Sequence, residues 1–437
     1  PMPPPQMKNH GNWVISVSQL GRWMAEQAEE LGAYMLPETD AQKLIVDDGR
    51  VLGVVTGDKG RGREGEQLST FEPGMELHAQ VTAICEGTQG HLAGVTRRHF
   101  ELDQAPQTYE LGVKEVWEVT KPLTKVIHTA GWPLRFGAKY REYGGSWIYP
   151  MGEDKVSIGF VTGLDYADAS LSVHDLLQQF KSHKLVRGIL EGGRRIAWGA
   201  KTIPGGGYNS LPTRLHVPGA VLCGDSAGFV NMSALKGVHY AIQSGIFAAE
   251  AIYESLKAGS AATTTGLWGY DKKIRDSFIW KDLWRERNVR PAFQQSFVYG
   301  VIVGGMATGT MGRFPKHVPH KADAKGEIFV GERAKEYPKA DGQYYFDKLS
   351  SVFTSGNKTR DDQPSHIRVQ QHVPRELAVM WEAMCPAKVY EVEEDQAGDM
   401  VDVKVNASNC VQCGAITAKG GQLTPPEGGS GPEYTLT

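Results

Sequence analysis

The segment from Val221 to Tyr253, VLCGDSAGFVNMSALKGVHYAIQSGIFAAEAIY, constrains the fold of this chain more than any other. It begins with a short apolar run typical of a buried strand, which ends at Gly224-Asp225. A second break at Lys236-Gly237 comes before apolar residues at helical spacing, namely Ile242, Ile246, Ala249 and Ile252. The pattern predicts a strand, an acidic turn of small residues and a helix.

The turn carries groups that suit a ligand with hydroxyls and a charged ring edge. Gly224 and Gly228 allow the backbone to come close to a ligand, and Asp225 can accept a hydrogen bond from a ribose or ribityl hydroxyl. The N-terminus of the helix offers N–H groups to an electron-rich oxygen. An ordinary buried turn between a strand and a helix explains the same residues equally well.

Length and charge set the class of protein. A chain of 437 residues can hold two or three domains, and a net charge of −3 gives no indication of nucleic-acid binding. The 52 glycines fit a cofactor enzyme with many close backbone turns. The five cysteines are too few for a disulfide scaffold and indicate a reducing compartment. Because the sequence begins PMPPPQ without an initiator Met, we expect it to be cut from a longer chain.

Further elements are predicted on both sides of a sequence that imitates a dinucleotide fingerprint. We expect a helix from Ser18 to Leu31, a hairpin around Asp48-Gly49 and a strand from Leu77 to Cys85. The sequence GRGREG (60–65) matches G-x-G-x-x-G literally. A polar loop follows it instead of a helix, so we do not expect it to bind phosphate. Residues 107–203 read as alternating strands with one helix, typical of an inserted substrate domain.

Pro291 to Met311 forms a run of 21 residues without a charge. It is too rich in Gly, Gln and Thr to span a bilayer comfortably. Basic and histidine side chains follow at once: Arg313, Lys316, His317, His320 and Lys321. The segment therefore predicts either a helix in the membrane interface or a buried core helix.

The cysteines fall into two groups. Cys85 and Cys223 lie in apolar strand patterns and are expected in the core. Cys385 and the C-x-x-C pair Cys410 and Cys413 predict an iron–sulfur cluster or a zinc ion, with reduced structural cysteines as the alternative. A further step of the same spacing falls on residue 416, which is Ile.

Nine segments together resemble the electron transfer flavoprotein–ubiquinone oxidoreductase family, and they cover the chain from end to end in consistent order. They are NHGNWVIS (9–16), TGDKGRGREG (56–65), HTAGWP (128–133), YGGSWIYP (143–150), EGGRRIAWGA (191–200), CGDSAGFVN (223–231), CPAKVYE (385–391), NCVQC (409–413) and PPEGGSGP (425–432). The resemblance implies a single-chain enzyme at a membrane surface. Such an enzyme passes electrons from reduced electron transfer flavoprotein, through FAD and a 4Fe-4S cluster, to ubiquinone. Family members begin with a strand–G-x-G-x-x-G–helix unit, which we expect to precede Pro1 in a longer chain.

The resemblance also assigns roles to residues. Asp225 is expected on the flavin ribityl chain, beside Gly224 and Gly228. Backbone N–H groups of Lys236, Gly237 and Val238 are expected at the pyrimidine edge, where they would stabilise negative charge on the reduced ring. Glu86 and Gly87 match the strand end that closes over the adenosine half of FAD.

Two more sites follow from the resemblance. Tyr143, Gly144 and Gly145 match a Gly-Gly turn that approaches the quinone headgroup, and Phe297 to Met311 match a stretch that dips into the membrane. Cys385, Cys410 and Cys413 match three of the four cluster ligands, and the fourth position is Ile416. Three outcomes are open: a 3Fe-4S cluster, a fourth ligand that is not cysteine, or no stable cluster.

The expected fold is α/β with an α+β insertion: a glutathione-reductase-like FAD-binding domain, a quinone-binding domain and a C-terminal ferredoxin-like iron–sulfur domain. The predicted segments are 1–105 and 204–258 for the FAD domain, 106–203 for the quinone domain, 259–355 for a helical and membrane-surface region, and 356–437 for the iron–sulfur domain. We expect no general acid–base residue and a location on the bacterial cytoplasmic or mitochondrial inner membrane. The alternatives are a geranylgeranyl-reductase-like enzyme and a truncated electron-carrier or docking module.

Overall fold

The computed structural model describes residues 5–8, 10–263, 265–323, 326–393, 396 and 398–437. The chain divides into two compact units. Unit 1 consists of Pro1–Lys8, Thr39–Tyr109 and Ile203–Lys325, and unit 2 consists of Asn9–Glu38, Glu110–Thr202 and Gly326–Thr437.

In the described residues the strands and α-helices fall into runs, with β1 to β6 between α1 and α2, and α5 to α10 between β13 and β14. The α-helices are α1 (Val17–Glu30), α2 (His91–His99), α3 (Val173–Lys181), α4 (Lys184–Leu190), α5 (Val238–Lys257), α6 (Trp268–Asp276), α7 (Phe278–Glu286), α8 (Val289–Phe293), α9 (Phe297–Thr310), α10 (Lys348–Thr354) and α11 (Arg375–Met384). The strands are β1 (Ala41–Asp47), β2 (Arg50–Thr56), β3 (Lys59–Arg61), β4 (Gln67–Glu72), β5 (Glu76–His78), β6 (Thr82–Ile84), β7 (Tyr109–Glu118), β8 (Ile127–Ala130), β9 (Gly144–Pro150), β10 (Lys155–Gly163), β11 (Arg194–Pro204), β12 (His216–Val217), β13 (Ala220–Leu222), β14 (Ile367–Arg368), β15 (His372–Pro374), β16 (Tyr390–Val392), β17 (Met400–Val405) and β18 (Gln422–Leu423).

Unit 1 is organised around the strand and helix that the segment 221–253 predicts. β13 pairs in parallel with β6, with Leu222 opposite Ile84, and β12 lies on the other side of β13. α5 begins at Val238 directly after Gly237, as predicted. Its buried side chains are mostly small, and they are Tyr240, Ser244, Ala248, Ala251 and Ser255. The small side chains allow α5 to pack closely on the turn after β13.

Other predictions for unit 1 are confirmed in part. The hairpin around Asp48-Gly49 is formed by β1 and β2, and GRGREG lies in the hairpin of β3 and β4 with no helix after it. The single strand expected from Leu77 to Cys85 is wrong. β5 and β6 are separate short strands in different sheets, because β5 pairs with β2 and β6 pairs with β13.

The central sheet of unit 2 has the strand order β11-β7-β10-β9-β8, with antiparallel pairing from β7 to β8. Its core contains the fully buried side chains of Trp117, Phe160 and Trp198. The one helix predicted within residues 107–203 corresponds to α3, and the hydroxyl of its N-cap residue Ser172 accepts the N–H of Asp175 at 3.3 Å. α4 is a second helix in a region where the sequence pattern predicts only one.

Residues near both ends of the chain belong to unit 2. The sequence boundaries place α1 in the first FAD segment, but Ser18 and Arg22 donate hydrogen bonds to carbonyls of the last four residues of the chain. The N-cap of α1 is Ser16 and not Ser18 as expected, because the Ser16 hydroxyl accepts the N–H of Gln19. Asn9, in the first segment of the family resemblance, lies outside the described residues. The assignment of functions to the five predicted segments stays a prediction.

Candidate functional site

Two turns lie side by side in unit 1 at the carboxyl ends of the parallel strands β6 and β13. The N–H of Cys223 donates to the carbonyl of Ile84 at 3.1 Å, and the hydroxyl of Ser226 donates to the carbonyl of Gly87 at 3.3 Å. The carboxyl ends of neighbouring parallel strands form the crevice where open α/β sheets bind ligands. The structure therefore brings the two predicted flavin-binding turns together.

The turn after β13 requires glycine at Gly224. Gly224 has φ of +56°, and a Cβ there would lie 3.1 Å from the Cβ of Ala241 on α5. Its N–H donates to the hydroxyl of Ser244 at 2.9 Å. Gly228 has φ of +92°, so the turn bends at both of the predicted glycines.

Asp225 lies near the N-terminus of α5. A Cβ on Gly237, the N-cap residue, would lie 3.8 Å from Oδ1 of Asp225. Gly237 and Val238 are in the first turn, where N–H groups have no acceptor within the helix. Lys236 differs, since its N–H donates to the carbonyl of Asn231 at 3.2 Å. Of the three N–H groups expected at the flavin ring, those of Gly237 and Val238 therefore remain as donors.

Glu86 has a structural role that the sequence does not indicate. Its carboxylate accepts the N–H of Leu92 at 3.1 Å and of Ala93 at 2.7 Å, at the N-terminus of α2. A carboxylate at this position stabilises a helix both as a hydrogen-bond acceptor and through the helix dipole. A role of Glu86 toward FAD stays a prediction.

The residues after Gly87 carry polar atoms that have no partner. The hydroxyl of Thr88 and both polar side-chain atoms of Gln89 are buried and make no hydrogen bond to any described residue. An unpaired buried polar group costs about 1–3 kcal/mol, and such groups are uncommon unless a ligand or water satisfies them. Thr88 and Gln89 thus fit a polar ligand such as FAD. Sequence reasoning missed both, although they follow Glu86-Gly87 directly.

Only one of the two cysteines predicted to lie in the core is buried. Cys223 is buried, whereas Cys85 is exposed, because it follows the last residue of β6 at the edge of the turn. The neighbouring Cys223 thiol lowers the pKa of Cys85, and Cys85 together with burial raises the pKa of Cys223. The hydroxyl of Tyr270 also donates to Sγ of Cys223 at 3.6 Å.

The predicted quinone-binding glycines lie in a strand and not in a turn. Gly144 and Gly145 begin β9, between β10 and β8. A Cβ on Gly144 would lie 2.0 Å from the carbonyl oxygen of Val161, and one on Gly145 would lie 2.1 Å from that of Thr129. Close packing of the strands therefore explains both glycines without a ligand. The carbonyl of the half-buried Tyr143 accepts the N–H of Gly163 at 2.8 Å.

Cys385, Cys410 and Cys413 line one cavity in unit 2. Cys385 follows α11, and the C-x-x-C pair lies in the loop after β17. The thiol sulfur of Cys385 accepts the N–H of Val389 at 3.4 Å, and that of Cys410 accepts the N–H of Gln412 at 3.4 Å. N–H groups that point at sulfur are one of the features that tune iron–sulfur centres.

In this cavity burial outweighs the groups that stabilise thiolates. Burial raises the pKa of all three thiols, to about 12 for Cys413. Two lysines partly offset the burial: Nζ of Lys201 donates to the carbonyl of Gln412 at 2.9 Å, and Nζ of Lys348 donates to the carbonyl of Ala383 at 3.0 Å. Neither lysine was predicted from the sequence, since only the fold brings them to the cysteines.

The spacing of the three thiols distinguishes an iron–sulfur cluster site from a site for a single zinc ion. In the part of the chain that the structure describes, no three His, Cys, Asp or Glu side chains lie close enough together to bind one metal ion. A mononuclear zinc site gathers its ligands around a point, whereas the ligands of a cluster bind separate iron atoms. The three thiols around one cavity fit an iron–sulfur cluster better than zinc. Ile416 lines the same cavity.

α9 exposes most of its apolar side chains. Val298, Val301 and Ile302 are all at least half exposed, whereas Gly300, Val303 and Ala307 face the protein. Exposed apolar and basic residues continue past its end: Met311, Arg313, Phe314, Lys316 and Lys321. The buried core helix, which the sequence left open, does not describe α9. None of the described helices has both the length and the apolar character needed to cross a bilayer.

Comparisons with known proteins agree with this arrangement. The family model described as ETF-QO, ubiquinone-binding, matches residues 109–203. The model described as electron transfer flavoprotein-ubiquinone oxidoreductase, 4Fe-4S, matches residues 342–435. These two ranges contain Tyr143–Gly145 and the three cysteines of the cavity, respectively.

Relatives match almost the whole chain. The mitochondrial electron transfer flavoprotein-ubiquinone oxidoreductase of Oryza sativa subsp. japonica is 38% identical over 99% of this chain and 77% of its own length. The human mitochondrial protein of the same name is 40% identical over 98% of this chain and 73% of its own length. Among solved structures, a geranylgeranyl bacteriochlorophyll reductase-like protein from Thermoplasma acidophilum has a TM-score of 0.50 at 14% identity, covering 71% of this chain and 68% of that one.

Proposed function

Because the chain belongs to the electron transfer flavoprotein–ubiquinone oxidoreductase family, we propose that it passes electrons from reduced electron transfer flavoprotein to ubiquinone. Membership confirms the predicted family and the fold class, with an FAD-binding α/β domain, a quinone-binding domain and a C-terminal iron–sulfur domain. FAD and an iron–sulfur cluster are the cofactors of this oxidoreductase. The observation that carries the proposal is the cavity lined by Cys385, Cys410 and Cys413, because an iron–sulfur cluster held there would carry electrons.

In the proposed reaction the residues of the chain hold the cofactors and tune their reduction potentials. FAD, when bound, supplies the centre that takes up electrons and passes them on one at a time. Asp225 would accept a hydrogen bond from its ribityl chain, and the N-terminus of α5 at Gly237 and Val238 would stabilise negative charge at the ring edge. The unpaired polar atoms of Thr88 and Gln89 support a polar contact at the neighbouring turn.

The cluster would be held by the three thiolates in unit 2. Removing the protons from three buried thiols is unfavourable without a metal, so binding of iron releases those protons and couples cluster assembly to pH. The N–H groups of Val389 and Gln412 would then donate to ligand sulfurs and stabilise the more reduced cluster. The positive charges of Lys201 and Lys348 would also stabilise the thiolates and the more reduced cluster.

We extend the proposal to the membrane. The exposed apolar face of α9, with Val298, Val301 and Ile302, would insert into the interfacial region, and the basic residues after it would bind anionic headgroups. Within unit 2, the quinone would bind near Tyr143, Gly144 and Gly145, in the range that the ubiquinone-binding family model matches. The location would be the mitochondrial inner membrane, as for the named relatives, or a bacterial cytoplasmic membrane.

Quinone reduction by the purified holoprotein tests the proposal. The protein, loaded with FAD and cluster in detergent, is mixed with reduced electron transfer flavoprotein and a short-chain ubiquinone, and the absorbance of the quinone is followed. We expect quinone reduction that depends on both the flavoprotein and the holoprotein, and a loss of at least tenfold in the Cys410→Ser variant. Cys85→Ser is the control for cluster content, measured as iron per protein, because Cys85 does not line the cavity. Oxidation of the flavoprotein no faster than in buffer would contradict the proposal.

The competing functions are less well supported. A geranylgeranyl-reductase-like enzyme shares the flavoprotein fold, but the likeness to the Thermoplasma protein, at 14% identity, concerns the fold alone. Such a reductase does not need a cavity lined by three cysteines. A docking module without FAD would leave the buried polar atoms of Thr88 and Gln89 without a role. Bound flavin in the purified protein, measured by its absorbance, separates that module from the proposed enzyme.

A further inference from the structure

Ile416 forms part of the wall of the cluster cavity. It lies three residues after Cys413, at the position where a further step of the C-x-x-C spacing falls. It follows Gly414, whose φ of +89° turns the chain back, and the Ile416 side chain is only 5% exposed. A Cβ on Gly421 would lie 2.5 Å from Cγ1 of Ile416, so the side chain is enclosed between Gly421 and the cavity.

Among the residues that the structure describes, the lining of the cavity contains no fourth cysteine and no histidine, aspartate or glutamate. Besides the three cysteines, the side chains that line it are apolar except for Met384 and Tyr390. Met384 ends α11 just before Cys385, and Tyr390 begins β16 and packs its ring 5.7 Å from that of Trp381. In sequence, Met384 and Tyr390 lie close to Cys385. Neither occupies the position three residues after Cys413, where a fourth cysteine would be. His366, which is buried, is not among the lining residues.

From this wall we infer that the chain holds a three-iron cluster, 3Fe-4S, with the iron-free corner directed at Ile416. Each of the three irons takes one thiolate, from Cys385, Cys410 and Cys413. An aliphatic side chain cannot ligate a fourth iron, and Ile416, which is only 5% exposed, occupies the position where a fourth cysteine would be. The inference rests on the proposed function only in taking the cavity to be a cluster site.

The local structure favours an intact three-thiolate site over a collapsed one. The thiol sulfurs of Cys385 and Cys410 already accept backbone N–H groups, and the carbonyl of Cys413 accepts both the N–H and the hydroxyl of Thr202 at 2.8 and 2.9 Å. These bonds fix the loop without any group from residue 416. Ile416 therefore closes one wall of the site and leaves the three ligands in place.

Spectroscopy of the holoprotein, purified without oxygen, tests the inference directly. Iron and acid-labile sulfide are quantified, and EPR spectra are recorded as isolated and after dithionite reduction. A three-iron cluster is paramagnetic with half-integer spin when oxidised, whereas the usual four-iron cluster becomes so when reduced. We expect the oxidised-state signal and an iron-to-sulfide ratio close to that of 3Fe-4S. A reduced-state four-iron signal in the natural sequence overturns the inference, whichever residue supplies the fourth ligand.

Two variants distinguish a cluster that lacks a fourth ligand from a cluster that has lost iron during preparation. Ile416→Cys restores the missing thiolate, so we expect it to gain a fourth iron and the four-iron signal. Ile416→Val keeps an aliphatic wall and should retain the three-iron signal. If Ile416→Cys, prepared in the same way, also shows only three irons, the natural signal reflects loss of iron during preparation and the inference fails. It fails as well if the natural protein binds no iron while Ile416→Cys does.

The outcome is independent of the proposed electron transfer. None of these spectra requires the flavoprotein or quinone. If the protein holds a three-iron cluster but does not reduce quinone, the inference stands and the proposed function is refuted. If it holds a four-iron cluster and reduces quinone, the proposed function stands and the inference is refuted.

Discussion

Nζ of Lys181 lies 2.8 Å from Oε2 of Glu115, and both side chains are fully buried. Nε1 of Trp117 donates to the same carboxylate at 2.7 Å, and Arg195 lies 3.6 Å from it. Burial raises the pKa of Glu115, but Lys181 and Arg195 outweigh it, so the pKa lies below its usual range. The ion pair joins α3 to β7 in the centre of unit 2.

We predict that Lys181→Met lowers the free energy of unfolding by about 3 kcal/mol, because it leaves a buried carboxylate with one cation fewer. Denaturant titration followed by tryptophan fluorescence measures the loss. Arg194→Met is the matched control, since Arg194 pairs with Glu118 at the surface at 2.9 Å, and such a pair is worth about 1 kcal/mol or less. Equal losses for the two variants would show that the buried pair adds nothing.

We predict that protonation of His366 lowers the free energy of unfolding in mild acid. It is buried, neither ring nitrogen has a partner among the described residues, and burial lowers its pKa from 6.5 to about 4. Between these values the unfolded chain binds a proton that the folded chain does not. The free energy of unfolding therefore falls as the pH drops from 6.5 toward 4, by roughly 3 kcal/mol at most, and this contribution is fully present above 6.5.

The variant His366→Leu should flatten this pH dependence, measured as the denaturation midpoint across the same range. His372→Leu is the control, because His372 is exposed and lies 2.8 Å from Asp402. An unchanged slope in His366→Leu would assign the acid sensitivity to other groups.

Gly145 should not tolerate a side chain. Its Cβ would lie 2.1 Å from the carbonyl oxygen of Thr129, so Gly145→Ala must push β9 away from β8. Overpacking of this kind costs about 1–3 kcal/mol, and we expect a lower melting temperature together with a higher KM for quinone. Gly188→Ala in α4 meets no atom within 4 Å and should be neutral or stabilising. A normal melting temperature with a raised KM would instead assign Gly145 to quinone binding alone.

Membrane binding should depend on the outer face of α9. Ile302 is half exposed, and Ile302→Glu places a charge where the proposed interface is apolar. We expect at least tenfold weaker co-sedimentation with vesicles that contain anionic phospholipid, since burial of such a side chain is worth about 1.5–3 kcal/mol. Phe353→Glu, on the exposed side of α10, should not change it. Equal binding of both variants would remove α9 from the membrane contact.

The sequence determined the elements whose signals are local. The break at Gly224-Asp225, the start of α5 after Gly237 and the hairpin of β1 and β2 follow from turn chemistry and periodicity. The polar loop after GRGREG excluded a fingerprint for the same reason. The spacing of Cys410 and Cys413 predicted a metal site, and Ile416 marked the ligand that is missing.

Tertiary structure decided the features that depend on neighbours distant in the chain. Only the pairing of β5 with β2 and of β6 with β13 shows that the strand expected from Leu77 to Cys85 is two strands, the second of which ends before the exposed Cys85. Only the sheet shows that Gly144 and Gly145 are required by strand packing, since the clashing carbonyls belong to other strands. The cavity joins Cys385 to a C-x-x-C pair beyond β17, and Lys201 and Lys348 reach it from distant segments. Burial and hydrogen bonding arise from residues far apart in sequence, so no local pattern contains them.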